Sequence, residues 1–195
     1  PFSSLYTYSP SARDLGNCTN DAEFFQHFSF IVKELSRIIK PGRICAVHCM
    51  DLPTKIVTHG YIGLIDFGGA LIKLFEDNDF IFHSKATIKK NPQAAAIRTH
   101  AKGLMFKQLH KDSTESRMGI PDYVIMFKKN GQNEIPVIPD ITNEDWIKYA
   151  NPIWDDIRET YTLNSRESKS EKDEKHICPL QLDVIERVVR LYSNK

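Results

Sequence analysis

Cations crowd one stretch of this chain. Between residues 83 and 129, ten Lys and Arg side chains stand against three acids, Asp112, Glu115 and Asp122, a local balance of +7. The 195 residues together carry only +1, so the remainder is acidic, 16 basic against 22 acidic residues, or −6. That asymmetry suits a loop region facing a polyanion on an otherwise acidic domain. Lys85, Lys89, Lys90, Arg98, Lys102, Lys107, Lys111 and Arg117 are the candidate phosphate contacts. Cations clustered in this way position a duplex without reading its sequence. An ordinary solvated face is the plainer reading of the same charges.

A second group has the donor types of a metal site. Cys45 and Cys49 flank His48, and thiolates with imidazole bind zinc. The surrounding residues are β-branched and apolar, however, and strand alternation turns His48 to the face opposite Cys45 and Cys49. The two cysteines therefore read as buried thiols, and no metal is expected. The four cysteines, Cys18, Cys45, Cys49 and Cys178, have no framework spacing. With no signal-like segment and no apolar run of membrane-spanning length, a reducing cytoplasm and no membrane contact are expected.

The elements that would position these groups alternate in type. Residues 20–40 place Phe24, Phe25, Phe28, Ile31, Val32, Leu35, Ile38 and Ile39 at helical spacing, with capping oxygens at 19–21 and a stop at Pro41-Gly42. An apolar strand over 43–50 follows, then a helix over 62–75 weakened by three glycines, and a strand over 80–85. A short helix is expected around 104–109 within the basic stretch, then a third strand at 123–127. Residues 130–178 form an irregular insert holding Trp146 and Trp154, read first as buried helical side chains, with stacking on bases the other role open to them. Residues 165–175 read as a charged, flexible linker, and Pro179 opens a last helix. Residues 11–17 read as a mobile loop, either a lid over a ligand or a plain surface loop. Alternation of helix and apolar strand argues for a mainly parallel sheet with helices on both faces. The chain stops on a helix where another strand would follow, so the sheet is expected to be incomplete.

Two further motifs stand at the chain ends. Pro1-Phe2 runs on into Ser3-Ser4-Leu5-Tyr6-Thr7-Tyr8-Ser9, and His176-Ile177-Cys178-Pro179-Leu180-Gln181-Leu182 leads into the last helix. Between them lie Lys40-Pro41-Gly42-Arg43 and its strand, the strand at Phe80, the basic segment around Lys102-Gly103-Leu104, and the strand at Asp122-Tyr123. This order resembles the permuted, beta-type N-4/N-6 amino DNA methyltransferases, and most of all their phage and prophage members. It covers essentially the whole chain. Each motif is soft alone; their succession is specific.

The resemblance implies an α/β, Rossmann-like S-adenosylmethionine-dependent methyltransferase fold. Residues 1–195 would form one catalytic domain, with 130–175 as its variable target-recognition insert and linker. In that family an Asp, Asn or Ser and a first Pro accept the hydrogens of an exocyclic amine, and the nitrogen takes the methyl group of the cofactor. The aromatic residue of the tetrapeptide stacks on a base flipped from the duplex. Pro1 and Phe2 match the tetrapeptide's second half, with Phe2 as the stacking residue. His176, Ile177, Cys178 and Pro179 match the segment that leads into the cofactor loop. The implied cofactor is S-adenosylmethionine and the implied partner double-stranded DNA, with a homodimer or a fused helicase or nuclease also open. Because the chain begins on Pro and both flanking motifs fall outside it, it is expected to be part of a longer reading frame and inactive as written. Adenine and cytosine remain equally open as targets. The rival readings are a non-catalytic DNA-binding module of the same fold and a Rossmann-like enzyme acting on a small molecule.

Overall fold

In a computed structural model, residues 2–163 and 179–194 are described; Pro1, His176, Ile177, Cys178 and the expected linker at 165–175 lie outside them. The first long element, α1 (Asp21–Ile38), is capped reciprocally: the Asn20 side chain accepts from the Glu23 amide at 2.9 Å, and the Glu23 carboxylate accepts from the Thr19 amide at 2.7 Å. Its Phe24, Phe28 and Val32 turn inward. The chain then reverses at Gly42, whose φ of +76° favours glycine and where a Cβ would lie 2.5 Å from the Asn133 nitrogen.

Strand β1 (Ile44–Cys49) follows, then a small hairpin of β2 (Leu52–Pro53) and β3 (Leu64–Ile65) that encloses the single turn α2 (Ile56–His59). Helix α3 (Phe67–Glu76) starts five residues later than the apolar spacing predicts. Leu64 and Ile65 are taken by the hairpin, and Asp66 accepts from the Gly69 amide as the cap. Strand β4 (Phe80–Ile88) gives way to the basic excursion, which folds as α4 (Pro92–Thr99), a 3-10 turn at Lys102–Leu104 and α5 (Phe106–Lys111). Strand β5 (Asp122–Lys129), α6 (Asn143–Tyr149), β6 (Ile153–Trp154) and α7 (Leu182–Tyr192) complete the described elements.

The sheet order is β1-β5-β4-β6, and here the expectation of a mainly parallel sheet is corrected. Strand β5 pairs antiparallel with both β1 and β4, while β6 pairs parallel with β4. The sheet is mixed, and the reason is geometric. Strands β1 and β4 run in the same direction, as a βαβ unit through α3 requires. The excursion of residues 89–121 leaves and re-enters the sheet at one end, so β5 must run backwards into the gap between them. Helices cover both faces, as expected. On one face α1 and α3 pack Phe24, Phe28, Phe67, Leu71 and Phe75 against Cys49, Ile125 and Phe127, with Phe75 and Phe127 stacked at 4.0 Å. Burying each such ring stabilises the fold by about 1.5–3 kcal/mol. On the other face Val184 of α7 meets Ala86, Ile88, Val124, Met126 and Trp154. Among the described residues no strand pairs with the outer edge of β1.

Candidate active site

Chemistry collects at one end of the sheet, where β1 and β4 finish and β5 begins. On the α7 side of that end, the His48 Nε2 lies 3.1 Å from Asp122 Oδ2, and Lys90 Nζ approaches the same oxygen at 2.6 Å. The Asp122 side chain is 4% exposed. Burial alone would raise its carboxyl, but the adjacent His48 ring nitrogen and the charge of Lys90 outweigh this and hold it below the usual carboxylate range. Among the described residues, Asp122 Oδ1 and His48 Nε2 are both buried without an aligned hydrogen-bond partner, so His48 meets the carboxylate through the close N···O approach alone. On the opposite face Asp51 Oδ1 accepts from the Gly68 amide at 3.2 Å. Burial, then the nearby Asp51 charge, raises the Tyr123 hydroxyl, and Lys85 sits over the Tyr123 ring at 4.6 Å.

The opening segment reaches this end of the sheet. The Phe2 ring stands nearly perpendicular to His48, centroids 5.3 Å apart, and to Tyr6 at 5.7 Å. Ser3 is buried, has a φ of +50°, and its Oγ donates to Asp21 Oδ1 at the start of α1. The loop read as mobile is tied together by one carboxylate. Asp14 accepts from the amides of Tyr8 at 2.6 Å, Ser9 at 2.8 Å and Gly16 at 2.9 Å. These bonds overcome the effect of burial and keep Asp14 below its ordinary pKa. Gly16 is needed there, because a Cβ would fall 2.1 Å from the Tyr6 carbonyl oxygen.

A cavity of about 600 Å³ joins these parts, lined by Phe2, Tyr6, Tyr8, Asp14 and Gly16, by the apolar side chains of α1, by Cys45 to His48, and by Leu180. Four consecutive residues of β1 line it, so the cavity runs along the strand's free edge rather than over one face. Phe2 and Leu180, from the two terminal motifs, share this wall. Of the expected cofactor segment only Pro179 is described, half-buried beside Leu180.

The cation candidates fall into three groups. Lys89, Arg98, Lys102, Lys107 and Lys111 are exposed on the excursion, and Lys85 is exposed on β4. Arg117 is half-buried against Gly103 and donates to the Met118 carbonyl at 3.0 Å. Lys90 is engaged by Asp122. The insert is fixed rather than free-standing: Trp154 is buried on β6, not on a helix, and its indole donates to the Tyr149 carbonyl. Trp146, on α6, is 57% exposed. Cys45 and Cys49 face the α1 side, away from His48, and burial pushes their thiols up to about 11 and about 12.

The sequence reading passed over Ser3, Asp14 and Asp122. Nothing in residue type marks a serine with positive φ or a buried aspartate at a strand start; only Asp14, two residues before a glycine in a turn-prone run, carried a usable signal.

Comparison with known proteins places this architecture. The profile of the N6/N4 methyltransferase family, described as DNA methylase, matches residues 6–195. The chain belongs to this family of DNA methylases. Phe2 lies just before the matched range. Three crystal structures of TTHA0409 from Thermus thermophilus, provisionally assigned as a DNA modification methylase, share the fold at 16% identity. The complex of that protein with S-adenosyl-L-methionine superposes with a TM-score of 0.64 over 89% of this chain and 59% of its own. Its selenomethionine form gives 0.60 over 89% and 60%, and a third structure 0.60 over 98% and 65%. The Rossmann-like methyltransferase fold is thus established, and the chain spans about three-fifths of the length of these structures. No curated protein matches it.

Proposed function

We propose that the full-length gene product methylates the exocyclic amine of adenine (N6) or cytosine (N4) in duplex DNA, with S-adenosylmethionine as methyl donor. The observation that carries this reading is the meeting of Phe2 and Leu180 on one cavity along the free edge of β1, a strand that ends on the side of the sheet from which the cationic excursion springs. Family membership supports the reaction class.

In this reading the exposed Lys89, Arg98, Lys102, Lys107 and Lys111 hold phosphates and orient the duplex. Phe2 stacks on the base turned out of the helix, for which unstacking costs a few kcal/mol. The apolar cavity wall excludes water from that base. The bound cofactor supplies the methyl group. The described residues fit its aromatic half: Tyr6, Tyr8, Leu15 and Leu180 offer flat and apolar contact apart from Phe2, whereas no described Lys or Arg lines the cavity to meet a carboxylate. Holding the amino-acid end then falls to residues outside this cavity. Pro179, beside Leu180, belongs to the segment assigned to the cofactor with His176, Ile177 and Cys178.

Phe2→Ala in the full-length gene product tests the reading. The expected result is methyl transfer to duplex DNA lowered at least about tenfold, on the scale of lost base stacking, with duplex affinity retained. Undiminished transfer would remove Phe2 from the base site.

A further inference from the structure

Phe2 projects from the chain's opening segment, yet its ring is held by neighbours on two sides. Tyr6 and His48 both stand nearly perpendicular to it, at 5.7 and 5.3 Å. On the backbone side, the adjoining Ser3 is locked in the left-handed region and bonded through its hydroxyl to Asp21 of α1. His48 is itself held. Its Nε2 lies 3.1 Å from the Asp122 carboxylate, which is buried and also takes the Lys90 ammonium. A side chain on a strand has few rotamers, and a buried carboxylate beside its ring nitrogen selects one of them.

We infer that Asp122 and His48 form a relay that sets the orientation of Phe2, making both positioning residues for the base-stacking ring. The inference rests on the reading of Phe2 as the stacking residue. It also gives Lys90 a different task from the other cations of the excursion. Its charge is spent on Asp122, where it keeps the carboxylate ionised and in place, rather than on phosphate. Asp122 and Lys90 flank the excursion at its two ends, so the same pair ties the duplex-facing segment to the ring that meets the base. Oriented groups matter here because small misplacements of a reacting or stacking group are costly in rate.

The test is a double-mutant cycle in the full-length gene product, made of Phe2→Ala, His48→Ala and the double variant, with His48→Phe and Asp122→Asn beside it. His48→Ala is expected to lower kcat between about ten- and a hundredfold, leaving KM for duplex within about twofold. His48→Phe, which keeps a ring against Phe2 but has no nitrogen to meet Asp122, recovers only part of the loss, and Asp122→Asn lowers kcat in the same direction. Full recovery by His48→Phe would remove Asp122 from the relay. In the Phe2→Ala background His48→Ala has no further effect, since the ring it positions is gone. If His48→Ala lowers kcat by the same factor with and without Phe2, the relay is refuted.

A second readout needs no activity: the imidazole proton signals of His48 by NMR. Phe2→Ala and Asp122→Asn should each move them, by loss of ring current and of the carboxylate. His48 signals unmoved by Phe2→Ala would overturn the relay. Failure of methyl transfer in the wild type, with the His48 signals still responding, would instead defeat the functional reading and leave the relay standing.

Discussion

Replacing Asp156 by Asn removes the carboxylate that holds a buried arginine. The Arg187 side chain is 5% exposed and its Nη2 bonds Asp156 at 2.6 Å. The guanidinium lies 5.3 Å from the Tyr149 ring and 5.2 Å from that of Trp154, and its Nη1 has no hydrogen-bond partner among the described residues. Burial would raise the Asp156 carboxyl, but hydrogen bonds from Arg187 and Lys148 bring it down to about 2. Lowering it that far from its ordinary value corresponds to about 2.5 kcal/mol. The Asp156 side chain is 39% exposed, so solvent screening reduces its own share to about 1 kcal/mol. Leaving the Arg187 charge buried with a weaker partner adds to this, and the total expected loss is about 2–3 kcal/mol.

Arg187→Met, which removes the charge while keeping the volume, should cost less than about 1.5 kcal/mol. Urea unfolding at pH 7, followed by tryptophan fluorescence, measures both. The acid dependence has a definite sign. Because the folded pKa of Asp156 is depressed, its contribution is complete above about pH 4 and is lost as pH falls through about 2. The gap between wild type and Asp156→Asn must therefore shrink as pH is lowered from about 4 to about 2. An Arg187→Met variant less stable than Asp156→Asn, or a gap that widens in acid, would refute the reasoning.

Gly16→Ala would drive a methyl against the Tyr6 carbonyl; a loss of about 2–3 kcal/mol should appear as a lower Tm, and an unchanged Tm would show that the loop yields freely. Lys107→Ala with Lys111→Ala should reduce the slope of log affinity against log salt for duplex DNA by about 2, whereas Lys90→Ala, whose partner is Asp122, should leave the slope nearly unchanged. Cys45 and Cys49, with thiols pushed up to about 11 and about 12, should resist alkylation at pH 8 in the folded protein and react in denaturant, as read by peptide mass spectrometry.

Periodicity carried most of the scaffold. Helix α1, strands β1, β4 and β5, and α7 all lie where apolar spacing puts them, because each buries a repeating face. What spacing could not convey was direction. The antiparallel entry of β5 depends on where the chain returns after the excursion, a tertiary fact. Helix α4 carries one buried residue, Ala96, so it left no apolar stripe to detect. Trp154 illustrates a related limit: its burial was legible, but its place on a two-residue strand beside β4 follows from pairing with Ile88. For the proposed site, charge density singled out the excursion and residue order singled out Phe2 and the segment at Pro179, and the structure brings Phe2 and Leu180 to one cavity. The contacts beside them, the close approach of His48 to Asp122 and the hydrogen bonds from three amides to Asp14, join residues whose types are common and whose separation in sequence hides them.

The central claim is tested most directly by the product. The full-length gene product is incubated with labelled S-adenosylmethionine and mixed-sequence duplex DNA, and the DNA is digested to nucleosides. The account predicts label on N6-methyladenine or N4-methylcytosine and on no other nucleoside. Unlabelled DNA from varied duplexes, with the cofactor demonstrably bound, would contradict it and leave a DNA-binding module of the same fold in its place.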